Sequence, residues 1–348
     1  MHHLFYIENG LSLALVKAYI KEKDIPHESI ILFLGRGQKA KVPYTTQDVS
    51  IWEFRTTINF FNGWRKTKET QQKITTYLSK QCISEYHFYT SSISKLSCYF
   101  LIHNTANTKT TFIEDGRAAY YSESEFRAYI KELHFSGLNY PLYQLKCWLN
   151  YRFKHYPNPS RTIPFLKKTN DVIVSSENSF SYINRKHIVK KLFYDETTSY
   201  NHIQCLMCLS YPVEDGLITL TEYIKVLNRT FDFLVESGIN KVHYKFHPQQ
   251  TSNPQNLKAY INVIHSFKND LIFEELPSDT IMEVVAANSD AILLSDYSST
   301  ILYTHNFGNK IISNYSLIAT FRTSNDKLPR LPKALTSIIN KSNIPLRQ

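Results

Sequence analysis

Four segments of the sequence combine residue types that transfer protons and bind phosphate, and each follows a short apolar run. Glu-Asp-Gly at 114–116 follows TTFI, and a second Glu-Asp-Gly at 214–216 follows CLMCLS. K-F-H-P at 245–248 ends the run VHYKF, and two serines at 298–299 follow AILLS. A carboxylate can act as a general base, while an imidazole and paired hydroxyls can stabilise a phosphate. These residue types indicate transfer of a group from a phosphate-containing donor to a hydroxyl.

Each segment also has an ordinary structural use. Asp-Gly pairs form turns, a His-Pro pair can end a strand, and serines commonly cap helices. The four become informative as an ordered set, because each falls where a strand ends. No DxD pair and no His/Cys cluster indicates a metal site. We expect no metal and no cofactor, since one imidazole and one helix N-terminus can balance a single phosphate.

Short apolar runs alternate with helical patterns, which is typical of parallel sheets covered by helices. We predict strands at 4–7, 30–35, 87–90, 99–102, 110–113, 171–176, 205–210, 242–246, 271–274, 291–295 and 311–313. We predict helices at 10–22, 219–237, 254–268, 279–288 and 298–306. The pattern indicates an α/β protein with two Rossmann-like domains, at 1–195 and 196–348. Because ligands bind beyond the carboxyl ends of parallel strands, we expect the site in a cleft between the domains.

Two of the predicted helices have readable starting signals. Thr219 and Glu222 form a T-x-x-E capping box before the helix at 219–237, and Gly238 supplies the left-handed residue that ends it. Thr280 and Glu283 form a second capping box, which predicts the start of the helix at 279–288.

Composition excludes several classes of protein. The chain has 348 residues, 43% of them apolar and 20% charged, which suits a folded core. Its longest apolar runs are too short to cross a bilayer and its N-terminus lacks a basic leader, so we expect a cytoplasmic protein. Five scattered cysteines argue against a disulfide framework. Cys205 and Cys208 lie three apart in a predicted strand, and thiols on opposite faces cannot share one zinc ion.

Much of the net charge of +10 is concentrated at 146–191, where ten lysines and arginines stand against two acidic residues. A basic stretch with interleaved aromatics can contact nucleic acid, anionic lipid or an anionic substrate, or it can be a solvated face. No helix-turn-helix, RRM or zinc signature accompanies it. A basic nucleic-acid or membrane-binding module is therefore kept only as a remote alternative to an enzyme.

The ordered set (D/E)-(D/E)-G, K-x-H-P and S-S resembles bacterial sialyltransferases. The nearest likeness is to the lipooligosaccharide sialyltransferases of glycosyltransferase family 52, and polysialyltransferases and marine-bacterial sialyltransferases share the motifs. The match runs from FIEDGRAAYY through YPVEDG and YKFHP to SDYSST. The resemblance implies a GT-B fold with an acceptor-side first domain and a second domain that binds CMP-sialic acid. It also implies inverting, metal-independent transfer.

The resemblance implies roles for individual residues as well. His247 matches the histidine that acts as an acid or stabilises the phosphate charge. The remaining donor-side residues hold the phosphate or shape its loop: Lys245, Pro248, Ser298 and Ser299. Phe246 departs from the family pattern, which often has proline there, so the donor assignment is kept while the exact loop geometry is left open. Glu283 either contacts the ribose or base of CMP or only caps its helix.

The general base has two candidates, because the sequence contains two Glu-Asp-Gly segments. We place the base at Asp215, in the nucleotide-binding half, and keep Asp115 as an alternative base or an acceptor ligand. Asn9, which ends the first strand, either contacts the acceptor or serves a turn. The other acceptor-side candidates are Glu114 and Gly116.

The predicted reaction moves sialic acid to a galactose-terminated bacterial surface glycan (O-antigen, capsule or lipooligosaccharide) or its lipid-linked precursor, with an α-2,3 linkage expected. A transferase for another CMP-activated ulosonic acid and a polysialyltransferase are alternatives with the same phosphate chemistry. A lipid-linked acceptor would bring the enzyme to the anionic inner face of the cytoplasmic membrane. There each lysine or arginine of the basic stretch contributes about 1 kcal/mol to binding. No nucleic-acid partner is expected.

Overall fold

The computed structural model describes residues 1–35, 38–40, 42–50, 60–92, 95–134, 169, 171–189, 192, 200–323, 328 and 330–345, without the side chains of 60–67 and 130–134. The chain divides into two compact units, Met1–Phe193 and Tyr194–Gln348. This division falls two residues before the boundary predicted from the sequence.

The first unit is built on a seven-stranded parallel sheet. Its strands are β1 (His2–Ile7), β2 (Ile30–Leu34), β3 (Thr45–Asp48), β4 (Tyr86–Thr90), β5 (Asn107–Ile113), β6 (Val172–Val174) and β7 (Lys186–Ile188). They lie in the order β3-β2-β1-β4-β5-β6-β7, so the winding direction changes between β1 and β4. The central strands are almost entirely buried, as parallel strands covered on both faces should be.

Helices of the first unit pack on this sheet. They are α1 (Gly10–Lys23), α2 (Phe60–Lys80), α3 (Leu96–Ile102) and α4 (Glu123–His134). One core cluster joins Phe33 and Phe88 of the sheet to Ile74 of α2 and Leu101 of α3. The predicted helix at 10–22 is confirmed, and it begins directly after the first strand. Short strand-to-helix connections of this kind place side chains at the carboxyl edge of the sheet.

The second unit has a five-stranded parallel sheet. Its strands are β8 (Cys205–Cys208), β9 (Lys241–Tyr244), β10 (Ile272–Glu275), β11 (Ile292–Ser295) and β12 (Ile311–Ser313). They lie in the order β10-β9-β8-β11-β12, which places the change of direction between β8 and β11. The described helices are α5 (Leu220–Glu236), α6 (Pro248–Thr251), α7 (Pro254–Ser266), α8 (Met282–Ala287), α9 (Thr300–Asn306), α10 (Tyr315–Phe321) and α11 (Lys333–Ser342). The predicted α/β class with two Rossmann-like units is confirmed.

One predicted strand is wrong, and two observed strands lacked a signal. Residues 99–102 belong to helix α3, because an apolar run of this length suits a helix or a strand equally well. The carbonyl oxygen of Leu101 in that helix accepts a hydrogen bond from the Tyr86 hydroxyl at 2.7 Å. Strands β3 and β7 lie at the two edges of the first sheet; β3 is mostly exposed and β7 is partly buried. Edge strands need no apolar run, so the sequence pattern does not mark them.

Of the two capping boxes predicted from the sequence, one is confirmed and one is wrong. Helix α5 begins after Thr219, whose side chain accepts from the backbone N–H of Glu222, and Gly238 takes a positive φ of 73° just beyond its end. Helix α8 instead begins after Ile281, which makes no side-chain cap. The predicted box at Thr280 is therefore wrong.

No helix within the described ranges is long and apolar enough to cross a membrane. Four cysteines fall in the described part of the chain, and all four are free thiols: Cys82, Cys98, Cys205 and Cys208. Cys147 lies outside the described residues.

Gly35 follows β2 with its backbone against a buried tyrosine. A Cβ atom at this position would lie 2.7 Å from the hydroxyl oxygen of Tyr6, which donates a hydrogen bond to Glu8 at 3.1 Å. We expect Gly35→Ala to lower the free energy of unfolding by about 1–3 kcal/mol, because the tyrosine must move. Urea denaturation measures this loss.

Two further variants distinguish this clash from a general effect of losing a glycine. Gly238→Ala strains a positive φ but places its Cβ in open space, so we expect a smaller loss of about 1 kcal/mol. Adding Tyr6→Phe to Gly35→Ala removes the clashing oxygen and should restore part of the stability. A double variant no more stable than Gly35→Ala alone would contradict the close contact.

Candidate functional site

The loop after β9 carries the K-F-H-P motif at 245–248, and its histidine caps a helix. His247 is the N-cap of α6: its Nδ1 accepts a hydrogen bond from the backbone N–H of Gln249 at 3.2 Å. The backbone N–H of His247 donates in turn to Oε1 of Gln250 at 2.9 Å. Pro248 takes the exposed first helical position, where its missing N–H is not needed.

This cap selects one form of the imidazole. Because Nδ1 accepts a hydrogen bond, the proton of the neutral ring lies on Nε2. A doubly protonated ring has no acceptor, so protonation of His247 breaks the cap. Burial also lowers the pKa of His247 below its usual 6.5, and the positive charge of Lys245 lowers it further, while Glu214 opposes both. The structure therefore favours a neutral imidazole with Nε2–H as a donor.

The turn at 211–216 supplies the neighbours of this imidazole. The ring of Tyr211 stacks on that of His247, with centroids 4.2 Å apart. One carboxylate oxygen of Glu214 accepts from Asn256 and Tyr260, both at 3.0 Å, and its other oxygen is buried without a hydrogen bond. Glu214 is thus fixed against helix α7 while its charge acts on the imidazole.

Asp215, the predicted base, occupies an exposed position in the same turn. Its backbone N–H donates to the carbonyl oxygen of Tyr211 at 3.0 Å, and Gly216 next to it takes a positive φ of 71°. Of the two acidic residues in the turn, Glu214 is the one whose charge shifts the pKa of His247. The sequence did not single out Glu214, because a Glu-Asp-Gly turn does not show which carboxylate points inward.

Lys245 ties the histidine loop to the segment before helix α8. Its Nζ donates to the carbonyl oxygen of Thr280 at 2.7 Å. Burial lowers the pKa of Lys245, and the charges of nearby groups, Glu283 among them, partly restore it. Phe246, where the family pattern often has proline, packs instead beside the rings of Tyr244 and Tyr260 at 5.3 and 6.3 Å. This aromatic packing anchors the loop.

The serine pair follows β11, and its first member, Ser298, joins a polar network that includes Glu283. The hydroxyl of Ser298 donates to Oγ1 of Thr300 at 3.2 Å, and Thr300 Oγ1 donates to a carboxylate oxygen of Glu283 at 2.8 Å. The thiol of Cys208, at the end of β8, also points to Thr300 at 3.5 Å. Ser299 is the N-cap of α9 but makes no side-chain cap. The sequence analysis missed Thr300, which connects the predicted members.

Asp296, between β11 and the serine pair, holds two neighbouring strand ends together. Its fully buried carboxylate accepts from the backbone N–H and the hydroxyl of Ser210 at 2.9 and 2.7 Å. It also accepts from the backbone N–H of Tyr297. Burial raises the pKa of Asp296, and these hydrogen bonds act against the rise. The residue supports the site from within the unit.

The carboxyl edge of the first unit's sheet gathers the other predicted residues. Nδ2 of Asn9 donates to Oδ1 of Asp115 at 2.5 Å, across 106 residues of sequence. Asp115 is half-buried and precedes Gly116, which takes a positive φ of 57° and begins a 3-10 turn at Gly116–Tyr120. Asn9, Asp115 and Gly116 thus lie at the ends of β1 and β5.

Glu114, predicted on the acceptor side, lies instead in the interior of the first unit. Its carboxylate is completely buried and accepts from the backbone N–H and hydroxyl of Ser175 at 2.5 and 2.9 Å. Ser179 donates a further hydrogen bond at 2.8 Å. Burial raises the pKa of Glu114 against these bonds. Its contacts show a supporting role for the loop that presents Asp115.

A second acidic residue at this edge had no signal in the sequence. Glu8, directly after β1, is buried and accepts from the Tyr6 hydroxyl at 3.1 Å, and Lys95 lies 3.3 Å from the same oxygen. Its position at the change of winding direction between β1 and β4 is the place where such sheets bind ligands.

The basic stretch and the expectation of no metal site concern residues that are only partly described. Of the basic stretch, only Arg185 and Lys186 are described, and the remaining lysines and arginines of 146–191 lie outside the described residues. Within the described residues, no group of three or more His, Cys, Asp or Glu is arranged to hold a metal ion.

The model of the alpha-2,8-polysialyltransferase family matches residues 3–316 of the chain. The protein belongs to this family. It is therefore a sialyltransferase-type glycosyltransferase, as the motifs indicated. The matching family is the polysialyltransferases, which share the motifs, and the narrower likeness to the lipooligosaccharide sialyltransferases stays a prediction. No curated protein matches the chain.

Solved structures resemble this polysialyltransferase-family chain only distantly. A UDP-GlcNAc 2-epimerase from Methanocaldococcus jannaschii shares 11% identity at a TM-score of 0.44, over 98% of this chain and 92% of that one. A glycosyltransferase from Rickettsia africae shares 11% at 0.42, over 90% and 78%. MurG from Acinetobacter baumannii shares 10% at 0.36, over 98% and 99%. These likenesses say nothing of donor or acceptor.

Substitution of two neighbours of His247 should change the pKa of its imidazole in opposite directions. Glu214→Gln removes the charge that raises the pKa of His247, so the pKa should fall further. Tyr211→Ala exposes the imidazole, and because burial is the main cause of the depressed pKa, the value should rise toward 6.5. NMR titration of the ring, assigned with a His247→Ala variant, measures both shifts.

The same spectra report the tautomer of the imidazole. At pH values above the pKa of His247, the nitrogen shifts should show Nε2 protonated and Nδ1 unprotonated. A proton on Nδ1 would contradict the described cap. Changes of the same sign in the pKa of His247 in Glu214→Gln and Tyr211→Ala would contradict the described environment of the ring.

Proposed function

We propose that this protein transfers sialic acid from CMP-sialic acid to a hydroxyl of a glycan that already ends in sialic acid, by an inverting mechanism that needs no metal. The observation that carries the proposal is that a chain of this family has His247, Lys245 and Ser298 at the strand ends of its second unit. Lys245 and His247 follow β9 and Ser298 follows β11, on either side of β8, so all three lie beyond the carboxyl ends of central strands, where such sheets bind ligands. The polysialyltransferase family supports the sialylated acceptor.

On the donor side, we place the phosphate of CMP against groups that can all donate hydrogen bonds. The Nε2–H of neutral His247 is fixed in direction by the cap at Nδ1. The ammonium group of Lys245 and the hydroxyls of Ser298 and Ser299 supply further donors. Because His247, Lys245 and Ser298 are already held by neighbouring residues, they stabilise the departing phosphate with little reorganisation. Glu283, held by Thr300, is the candidate to contact the ribose or the base.

For the base we propose Asp115 and not Asp215. A general base needs a fixed carboxylate within reach of the acceptor hydroxyl. Asp115 is half-buried, held by Asn9, and carried on a loop that Glu114 anchors. Asp215 lies exposed on the turn after β8, where water competes for its carboxylate.

The reaction then proceeds in one displacement. Asp115 takes the proton of the acceptor hydroxyl as the oxygen bonds to the anomeric carbon of sialic acid. The bond from that carbon to the phosphate oxygen breaks, and CMP leaves with the electron pair. Attack opposite the leaving group inverts the anomeric configuration. His247 Nε2–H donates a hydrogen bond to the phosphate that gains the charge.

The test also distinguishes other acceptors and other donors. Galactose-terminated glycans of O-antigen, capsule or lipooligosaccharide type would give an α-2,3 product, and another CMP-activated ulosonic acid would use the same phosphate contacts. A lipid-linked acceptor would place the enzyme at an anionic membrane surface inside the cell, where the basic stretch at 146–191 can bind.

Three substitutions test the assigned roles. We expect His247→Ala and Asp115→Asn each to lower kcat by roughly 10²–10⁴-fold, since each removes a group that acts on the reacting atoms. Asp215→Asn, the matched control on the other Glu-Asp-Gly segment, should change kcat less than about threefold. Release of CMP from CMP-sialic acid, with sialylated and galactose-terminated acceptors in parallel, measures the rates.

NMR of the product identifies the linkage, and circular dichroism checks that each variant is folded. Full activity of His247→Ala would overturn the donor-side mechanism. Loss of activity in Asp215→Asn with none in Asp115→Asn would move the base to the second unit. Transfer only to galactose would replace the proposed acceptor.

A further inference from the structure

The side chain of Asn9 connects the start of the first helix to the loop that carries Asp115. Its Oδ1 accepts a hydrogen bond from the backbone N–H of Ser12 at 2.8 Å, which caps helix α1. Its Nδ2 donates to Oδ1 of Asp115 at 2.5 Å. One amide thus serves two elements that are far apart in the sequence.

The cap fixes which end of the amide faces the carboxylate. The backbone N–H of Ser12 needs an acceptor, so the oxygen of Asn9 must point toward the helix. The nitrogen then has to face Asp115. A hydrogen bond donated to a carboxylate favours its ionised form, which is the form that accepts a proton from a substrate.

The backbone around Asp115 is held independently of Asn9. Glu114 is buried and bonded to Ser175 and Ser179, and Gly116 turns the chain with a positive φ. The carboxylate of Glu114 already has its own donors. What Asn9 adds at this loop is therefore a directional restraint on the Asp115 side chain.

We propose that Asn9 is a positioning residue for the reaction, which holds Asp115 ionised and aimed as the general base. This inference rests on the proposed function, because it needs Asp115 to be the base. It replaces the two expectations for Asn9, an acceptor contact or a simple turn, with a role through another residue.

Variants at position 9 can separate positioning from capping. Serine and aspartate cap helices about as well as asparagine, so Asn9→Ser and Asn9→Asp should keep the start of α1. Both remove the N–H donor to Asp115, and aspartate adds a like charge beside it. Ser12→Ala is the matched control, because it removes the hydroxyl that completes the capping box and leaves the Asn9–Asp115 bond in place.

We expect Asn9→Ser to lower kcat by about 10- to 100-fold, with the KM for CMP-sialic acid unchanged, because a misaimed base slows only the chemical step. Loss of the donor disfavours the ionised carboxylate, so the acidic limb of the kcat–pH profile should move to higher pH. Asn9→Asp should move it further than Asn9→Ser, because the added charge repels that of Asp115. Ser12→Ala should leave the limb where it is.

The charged groups described near this edge do not change between the variants. Glu8 stays beside Lys95, Glu114 stays with its serines, and Arg117 lies over the ring of Tyr129 at 5.9 Å. A shift of the limb therefore reports the Asn9–Asp115 pair. Thermal melting of each variant shows whether α1 is intact.

The outcomes separate this inference from the proposed function. If Asp115→Asn is inactive while both Asn9 variants keep the rate and pH profile of the original protein, the positioning role is wrong and the base stands. If Asp115→Asn keeps its activity, the assignment of the base fails first. A fall in kcat that tracks only a loss of thermal stability, with no shift of the limb, would reduce Asn9 to a helix cap.

Discussion

The first backbone N–H groups of a helix have no partner within the helix, and in this protein two helices obtain acceptors from side chains of the candidate site. Asn9 accepts at the start of α1 and His247 accepts at the start of α6. In each case one end of the side chain is committed to the cap, so the other end has a fixed chemical identity. The amide presents a donor, and the imidazole presents Nε2–H. Helix capping thereby decides what each residue can offer a substrate.

In both units a buried carboxylate after one strand is hydrogen-bonded to a serine after the neighbouring strand. In the first, buried Glu114 after β5 accepts both polar hydrogens of Ser175 after β6. In the second, buried Asp296 after β11 accepts both polar hydrogens of Ser210 after β8. A buried charge is tolerated only when it is well hydrogen-bonded, and here the bonds join neighbouring strand ends. The residue next to Glu114 is Asp115, and Ser298 follows two residues after Asp296.

The sequence was sufficient to predict the α/β class, the two Rossmann-like units and the positions of the motifs at strand ends. These depend on local patterns, such as the capping box of Thr219 and the apolar runs of central strands. The sequence could not show that Glu214 faces His247 while Asp215 is exposed, because both belong to one turn. It could not pair Asn9 with Asp115 either, since that contact depends on how β1 and β5 lie in the sheet. The edge strands β3 and β7 and the short helix α3 were not predicted, because their sequences carry no pattern that distinguishes them.

Cys208 ends β8 within the polar network of Thr300 and Glu283. Burial and the charge of Glu283 raise the pKa of its thiol to about 12. Because the thiolate is the form that reacts with oxidants and alkylating reagents, a thiol with so high a pKa reacts slowly in neutral solution. This strand end of the second unit therefore carries a sulfur that thiol reagents modify slowly at neutral pH.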